Sequence, residues 1–191
     1  MAFAINRRKQ RSGAAAAGLT AAALVLLVAV PPRAVGTTAV LGVSASVNAN
    51  CTITTSAVSF GRYESLRANA TAPLIAAGTV SIACTKGSAP KITMDLGQNP
   101  SGGRRYMALA AAGGGPDALH YEIYQPPTAI PGAGCSFPGT AVWGPTAAQA
   151  FVPSPPATRA ARMYSVCGTI PAGQGVSMGS YADTVVATVN F

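Results

Sequence analysis

Titratable groups are scarce in this chain of 191 residues, which holds one histidine, five carboxylates and only 9% charged residues. Acid/base and metal chemistry draw on those groups, so most enzyme classes lack their raw material here. Close cysteine pairs of the C-x-x-C kind are missing, and His120 has no second imidazole to join it, which argues against zinc. Amphipathic helical periodicity of useful length is also missing after the first 36 residues, as is any repeat of 20–50 residues. With 21 glycines and 15 prolines a helical bundle is excluded, while 49% hydrophobic content excludes a disordered chain. One turn-rich β domain is the expectation.

The net charge of +8 looks at first like that of a nucleic-acid binder. Position decides otherwise. Arg7, Arg8, Lys9, Arg11 and Arg33 flank a nearly uncharged Ala/Leu/Val run over residues 13–32, which contains Leu24, Leu26 and Leu27. A basic start, an apolar stretch and small residues after it are the three parts of a secretory signal peptide. Residues 1–36 are read as that leader, with Ala34 placed three residues from a cut after Gly36. The apolar run is short for a membrane span, and Pro31 and Pro32 close it. Arg7-Arg8 is a weak twin-arginine signal, because the polar Lys9-Gln10-Arg11 follows it.

Without the leader, Arg62, Arg67, Lys86, Lys91, Arg104, Arg105, Arg159 and Arg162 face five acids and form no patch, so no nucleic-acid partner is expected. Arg104-Arg105 follows Ser101-Gly102-Gly103 and reads as a solvated turn. Gly113-Gly114-Gly115 lacks the Lys-Ser/Thr of a phosphate loop and reads, with its Ala-rich flank, as a hairpin turn.

An exported chain enters an oxidising compartment, where Cys51, Cys84, Cys135 and Cys167 are suited to disulfides. Four cysteines allow three connectivities, of which nearest-neighbour pairing closes two loops of nearly equal length.

From residue 37 the chain alternates: Ala39, Leu41, Val43, Ala45, Val47, Ala49 and Cys51 share one parity, against Val40, Gly42, Ser44, Ser46, Asn48 and Asn50. That run is longer than an ordinary strand of about 5–6 residues. It is therefore two strands in succession, or one segment that reaches beyond its own domain. Further strands are expected over residues 57–60, 78–84, 91–96, 119–124, 140–143, 162–167 and 181–191. His120 falls on the polar parity of its strand and is expected to be a solvated surface residue rather than a catalytic one. The proline-rich stretches 125–139 and 152–156 read as loops at the ends of a β-sandwich.

Several motifs carry a family likeness: Val43-Ser44-Ala45-Ser46-Val47, Asn50-Cys51-Thr52-Ile53, Ser59-Phe60-Gly61-Arg62-Tyr63, Ile82-Ala83-Cys84-Thr85-Lys86-Gly87, residues 119–124 and Val142-Trp143-Gly144. The ending is the most specific: Gly168-Thr169-Ile170-Pro171-Ala172-Gly173-Gln174, then Gly179-Ser180-Tyr181-Ala182-Asp183-Thr184 and an alternating strand. Together they resemble the spore coat protein U domain, the pilin-like module of secreted archaic chaperone–usher pili. The likeness covers residues 43–191.

One departure is Cys167, where the family often has an aromatic residue; with Cys135 it points to an added disulfide. The pairing Cys51 with Cys84 and Cys135 with Cys167 is expected from matched spacing, export and the place of the first two cysteines in the family pattern.

The resemblance implies an all-β, immunoglobulin-like sandwich of the incomplete pilin type, completed by donor-strand exchange. It implies residues 37–50 as an N-terminal donor-strand segment and 51–191 as the sandwich domain. The donor side chains would be Ala39, Leu41, Val43, Ala45 and Val47. Its partners would be a periplasmic pilus chaperone, an outer-membrane usher and neighbouring pilin subunits, on a route through the periplasm to the cell surface. No catalytic centre, cofactor, metal or stable membrane span is expected. The alternatives are a spore or envelope coat protein built from the same module, and a secreted surface-binding module. Asp183 is expected to make a turn or strand-entry contact near Tyr181.

Overall fold

The computed structural model describes residues 32, 33, 35–110, 117–139 and 141–191. The expected leader lies almost wholly outside the described residues, as does the expected glycine turn at 113–115. By contacts the chain divides into Met1–Ser44 and Ala45–Phe191. In the first unit the described residues are exposed and carry neither helix nor strand.

The second unit is the folded domain. Its strands are β1 (Cys51–Ser56), β2 (Leu74–Cys84), β3 (Lys91–Met94), β4 (Arg105–Leu109), β5 (Ala118–Tyr124), β6 (Arg162–Ile170), β7 (Tyr181–Ala182) and β8 (Ala187–Asn190). Six of them form one antiparallel sheet in the order β1-β2-β6-β5-β4-β7, and β3 pairs with β8 in a second. Helix is confined to the single turn Ala68–Thr71 and the 3-10 turn Ala147–Gln149 among the described residues.

Period-two sequence dictates which faces meet, because alternate side chains of a strand point to opposite sides. From the large sheet Val80, Ile82, Leu119, Tyr121, Ile123, Tyr164 and Val166 turn inward; from the small one come Ile92 and Met94, with Ala187 and Val189 partly covered beside them. Trp143 and Phe151 fill the layer between, their rings 5.2 Å apart, and Phe151 meets Tyr164 edge-on at 5.0 Å. The fully buried Trp143 donates its indole N–H to the Ile92 carbonyl at 2.8 Å, which satisfies the one polar atom of that ring. The result is the expected all-β sandwich.

Several elements differ from the sequence reading. Residues 57–60 form no strand, although Val58 and Phe60 are half-buried and Ala57 and Ser59 exposed. The alternation is real, and a strand partner among the described residues is what this stretch lacks. Residues 140–143 contribute only the isolated bridge Val142 to Tyr124 among the described residues. The expected strand over 181–191 is interrupted at 183–186, leaving β7 and β8.

The largest correction concerns Arg105. It is not part of a solvated turn: it opens β4 at 0% exposure. Its guanidinium donates to Glu122 Oε1 at 2.5 Å, to the Asp95 carbonyl from both Nε and Nη2, and to the Trp143 carbonyl at 2.6 Å. The planar fork of donors lets one side chain satisfy carbonyls from separate segments, and Glu122 neutralises its buried charge. His120 is likewise half-buried rather than solvated, its ring 5.3 Å from that of Tyr106. Burial, and then the charge of Arg104, hold its pKa below the ordinary histidine value.

Candidate functional site, an open groove

Two stretches of backbone in the folded domain are left without ladder partners, and they line the same cavities. One is residues 57–63, which follow β1; the other is residues 183–186, between β7 and β8. Among the described residues, none of 57–63 makes a backbone-to-backbone hydrogen bond, and neither do Thr184 and Val185. Backbone N–H and C=O groups without backbone partners are what an added strand can pair with.

Between these lips runs a groove with two cavities, of about 270 Å³ and about 980 Å³. Val58, Phe60, Met107 and Asp183 line both, so the two are neighbours along one channel. The floor of the smaller cavity is apolar, with Met94, Ile123 and Val166 from the inner faces of both sheets. These three are 3–4% exposed, so the cavity reaches down to the buried core. The larger cavity is edged by Tyr63, Ser177 and Tyr181.

Local sequence explains how the lips are held. A Cβ on Gly168 would stand 2.6 Å from Val58 Cγ1, so glycine in β6 is what lets the first lip lie close over the sheet. Tyr63 anchors that lip at its far end, donating to the Pro171 carbonyl at 2.9 Å and accepting from the Gln174 N–H at 2.9 Å. The turn beyond is tied by Asn69, whose amide accepts from the Glu64 N–H and donates to the Ala72 carbonyl. On the other lip, Asp183 accepts from the Tyr121 hydroxyl at 2.5 Å and from the Gln98 N–H at 2.9 Å. Burial, then the bond to Asp183, push the Tyr121 pKa far up, so the phenol stays protonated as a donor. Asp183 therefore reaches across to the 95–99 loop and β5 rather than serving a turn at Tyr181. Hydrogen bonds from Ser177 hold Asp117, near the larger cavity, below the ordinary carboxylate range.

The residues expected to donate a strand lie as follows. Ala39, Leu41 and Val43 belong to the first unit and Ala45 and Val47 to the second, all exposed and none in a strand. Leu41 is 85% exposed, Val43 87% and Val47 83%, and Val40 on the other parity is exposed as well, an unusual display of large apolar side chains. The cysteines are bonded as Cys51–Cys84, joining directly opposed residues of β1 and β2, and Cys135–Cys167, tying the 125–139 loop to β6. The receiving half of the site escaped the sequence reading. Its signal was there in the alternation of Val58 and Phe60 and in Asp183 of the terminal motif, but nothing along the chain says that two distant stretches share a cavity.

Among the described residues no cluster of His, Cys, Asp and Glu is arranged to hold a metal ion, and no helix is long and apolar enough to cross a membrane.

The fold defines the class, an all-β antiparallel sandwich with a groove along one side. The chain belongs to the Spore Coat Protein U domain family, whose model matches residues 37–188. It is 32% identical to Protein U of Myxococcus xanthus over 195 residues, covering 93% of this chain and 97% of that one. Among solved structures it is similar to the CsuC–CsuE chaperone–tip adhesion subunit pre-assembly complex of archaic chaperone–usher Csu pili from Acinetobacter baumannii. The TM-score is 0.49 at 20% identity, over 76% of this chain and 40% of that chain. It is also similar to the E. coli Hda pilus minor tip subunit HdaB, with a TM-score of 0.33 at 14% identity, over 73% of this chain and 79% of that one.

Proposed function

We propose that the chain is a structural subunit of a secreted surface fibre, assembled by a chaperone–usher route through donor-strand exchange. The observation that carries this reading is the pairing of an unfilled apolar groove with an exposed, alternating apolar segment on the same chain. An extended segment placed between the lips satisfies their backbone by β-augmentation and covers the core with every second side chain. Ala39, Leu41, Val43, Ala45 and Val47 would face the floor, and Ser44 and Ser46 would face water. Burying a Leu or Val side chain that was fully exposed is worth about 1.5–3 kcal/mol each, so the exchange is favourable without any ligand or cofactor.

In this reading residues 37–50 act as the donor segment and 51–191 as the receiving domain. A periplasmic chaperone shields the groove before assembly, an outer-membrane usher delivers the subunit, and the neighbour's segment replaces the chaperone at the cell surface. The work is mechanical and asks for no catalytic residue.

The test is Leu41→Asp, which puts a charge where an apolar floor would receive it, at a cost of several kcal/mol. The variant is expected to fold with its chaperone and to remain monomeric, while the parent chain forms polymers. Normal polymerisation, or a chaperone-bound variant that is misfolded, would overturn the donor assignment. A spore or envelope coat protein using the same module without forming a pilus would give a continuous layer rather than threads in electron micrographs of the surface.

A further inference from the structure

We propose that Asp183 is a positioning residue for assembly, a clasp that holds the second lip of the groove in the place and geometry at which a strand can be added. This rests on the strand-exchange reading and names the device that makes the receiving edge competent.

The second lip is an unusual edge. Residues 183–186 have no strand partner among the described residues, yet their placement is fixed from behind by two carboxylates. Asp183 Oδ2 accepts from Tyr121 on the groove floor, and Oδ1 accepts from the Gln98 N–H at 2.9 Å and from Asn99 Nδ2 at 3.1 Å. Asp95 Oδ1 accepts from the Val186 N–H at 2.9 Å, while the Asp95 N–H donates to the Val186 carbonyl at 3.1 Å. Asp95 is itself held, because its carbonyl receives two donors from the buried Arg105.

Between these two anchor points, Thr184 and Val185 line the smaller cavity and make no backbone-to-backbone hydrogen bond among the described residues. Asp95 takes up the backbone of Val186 at one end, the Asp183 side chain fixes the other, and the backbone between them is left free. A carboxylate suits the task because it only accepts, so it can gather three donors without presenting one of its own. The loop is shaped to fit it: Gly97 has a φ of +80°, and a Cβ there would collide with Asp183 Oδ2. A receiving edge that is already ordered spares an incoming strand the entropy of ordering it, which raises affinity without adding contacts.

The experiment uses the full exported chain carrying Leu41→Asp, so that its own segment does not compete, refolded with disulfides intact. A fluorescent peptide of residues 37–47 in the natural sequence is the probe, followed by anisotropy. Asp183→Ala and Gly97→Ala are expected to weaken peptide binding at least 10-fold and to speed amide hydrogen exchange at residues 184–186. Asp183→Asn, which keeps an oxygen for the Gln98 N–H, should recover part of the loss. Ile92→Val, a core change away from the groove, should lower the thermal midpoint and leave peptide affinity within about 2-fold.

Asp183→Ala binding within 3-fold of its parent would overturn the clasp, as would an Ile92→Val loss as large as that of Asp183→Ala, which would make the effect one of general stability. Should Asp183→Ala fail to fold, Gly97→Ala and Asp183→Asn decide the matter on the same criteria. A parent chain that does not bind the peptide at all would overturn the strand-exchange reading, and the clasp's role with it.

Discussion

Gln174 brackets the backbone of His120: its Oε1 accepts from the His120 N–H at 2.8 Å and its Nε2 donates to the His120 carbonyl at 2.9 Å. A single amide side chain thus does for one residue of β5 what a neighbouring strand would do. It is needed because the pairing of β5 with β6 covers only residues 122–124 of β5, and the chain turns away after Ile170. Gln174→Ala should cost about 1–3 kcal/mol, the desolvation of backbone groups left without partners. Urea unfolding measures the loss, and the His120 amide should exchange faster than those of residues 122–124.

Arg105 makes a sharper case. Replacing it with Met leaves Glu122 without its counter-charge and the Asp95 and Trp143 carbonyls without donors. Removing one partner of a buried pair costs about 3–5 kcal/mol. Arg105→Lys should recover little, since one ammonium cannot reproduce a fork that reaches three segments. A lower urea midpoint with an unchanged m-value is the expected result.

Tyr121 sets an alkaline limit. Its folded-state pKa is raised, first by burial and then by Asp183, whereas in the unfolded chain it titrates near the ordinary tyrosine value of about 10. Between those two pKa values the unfolded state releases a proton that the folded state keeps. The stabilisation is therefore whole below about pH 10 and is lost progressively as pH rises above it. Tyr121→Phe should flatten that part of the stability profile, and its difference spectrum at high pH should lack the last phenol to ionise.

The disulfides are expected to differ in what they protect. Cys51–Cys84 staples β1 to its strand partner β2, and Cys135–Cys167 ties a long loop to β6. Each should contribute about 3–4 kcal/mol in the chain-entropy model. Replacing Cys135 and Cys167 together by Ala should release the 125–139 loop to proteolysis while β1 stays protected. Peptide mapping without reduction should recover Cys51 linked to Cys84 and Cys135 linked to Cys167; a Cys51–Cys135 link or free thiols would overturn both assignments.

The chain by itself determined the class of fold, most of the strands, the cysteines and the exposed alternating segment. These are written in composition and in a period of two, which any neighbour-by-neighbour reading can detect. Tertiary structure alone decided the rest. Val58 and Phe60 alternate like a strand but have no strand partner among the described residues, and that is a fact about residues far away in sequence. Arg105 sits after Ser101-Gly102-Gly103-Arg104, a context that reads as a turn, and only the convergence of Glu122, Asp95 and Trp143 makes a core position out of it. Asp183 and Tyr121 are 62 positions apart and meet because β7, which Asp183 follows, joins the same sheet as β5. Periodicity is a local property, whereas partnership across a sandwich depends on where the chain has been brought, and the groove consists entirely of such partnerships, one of them left open.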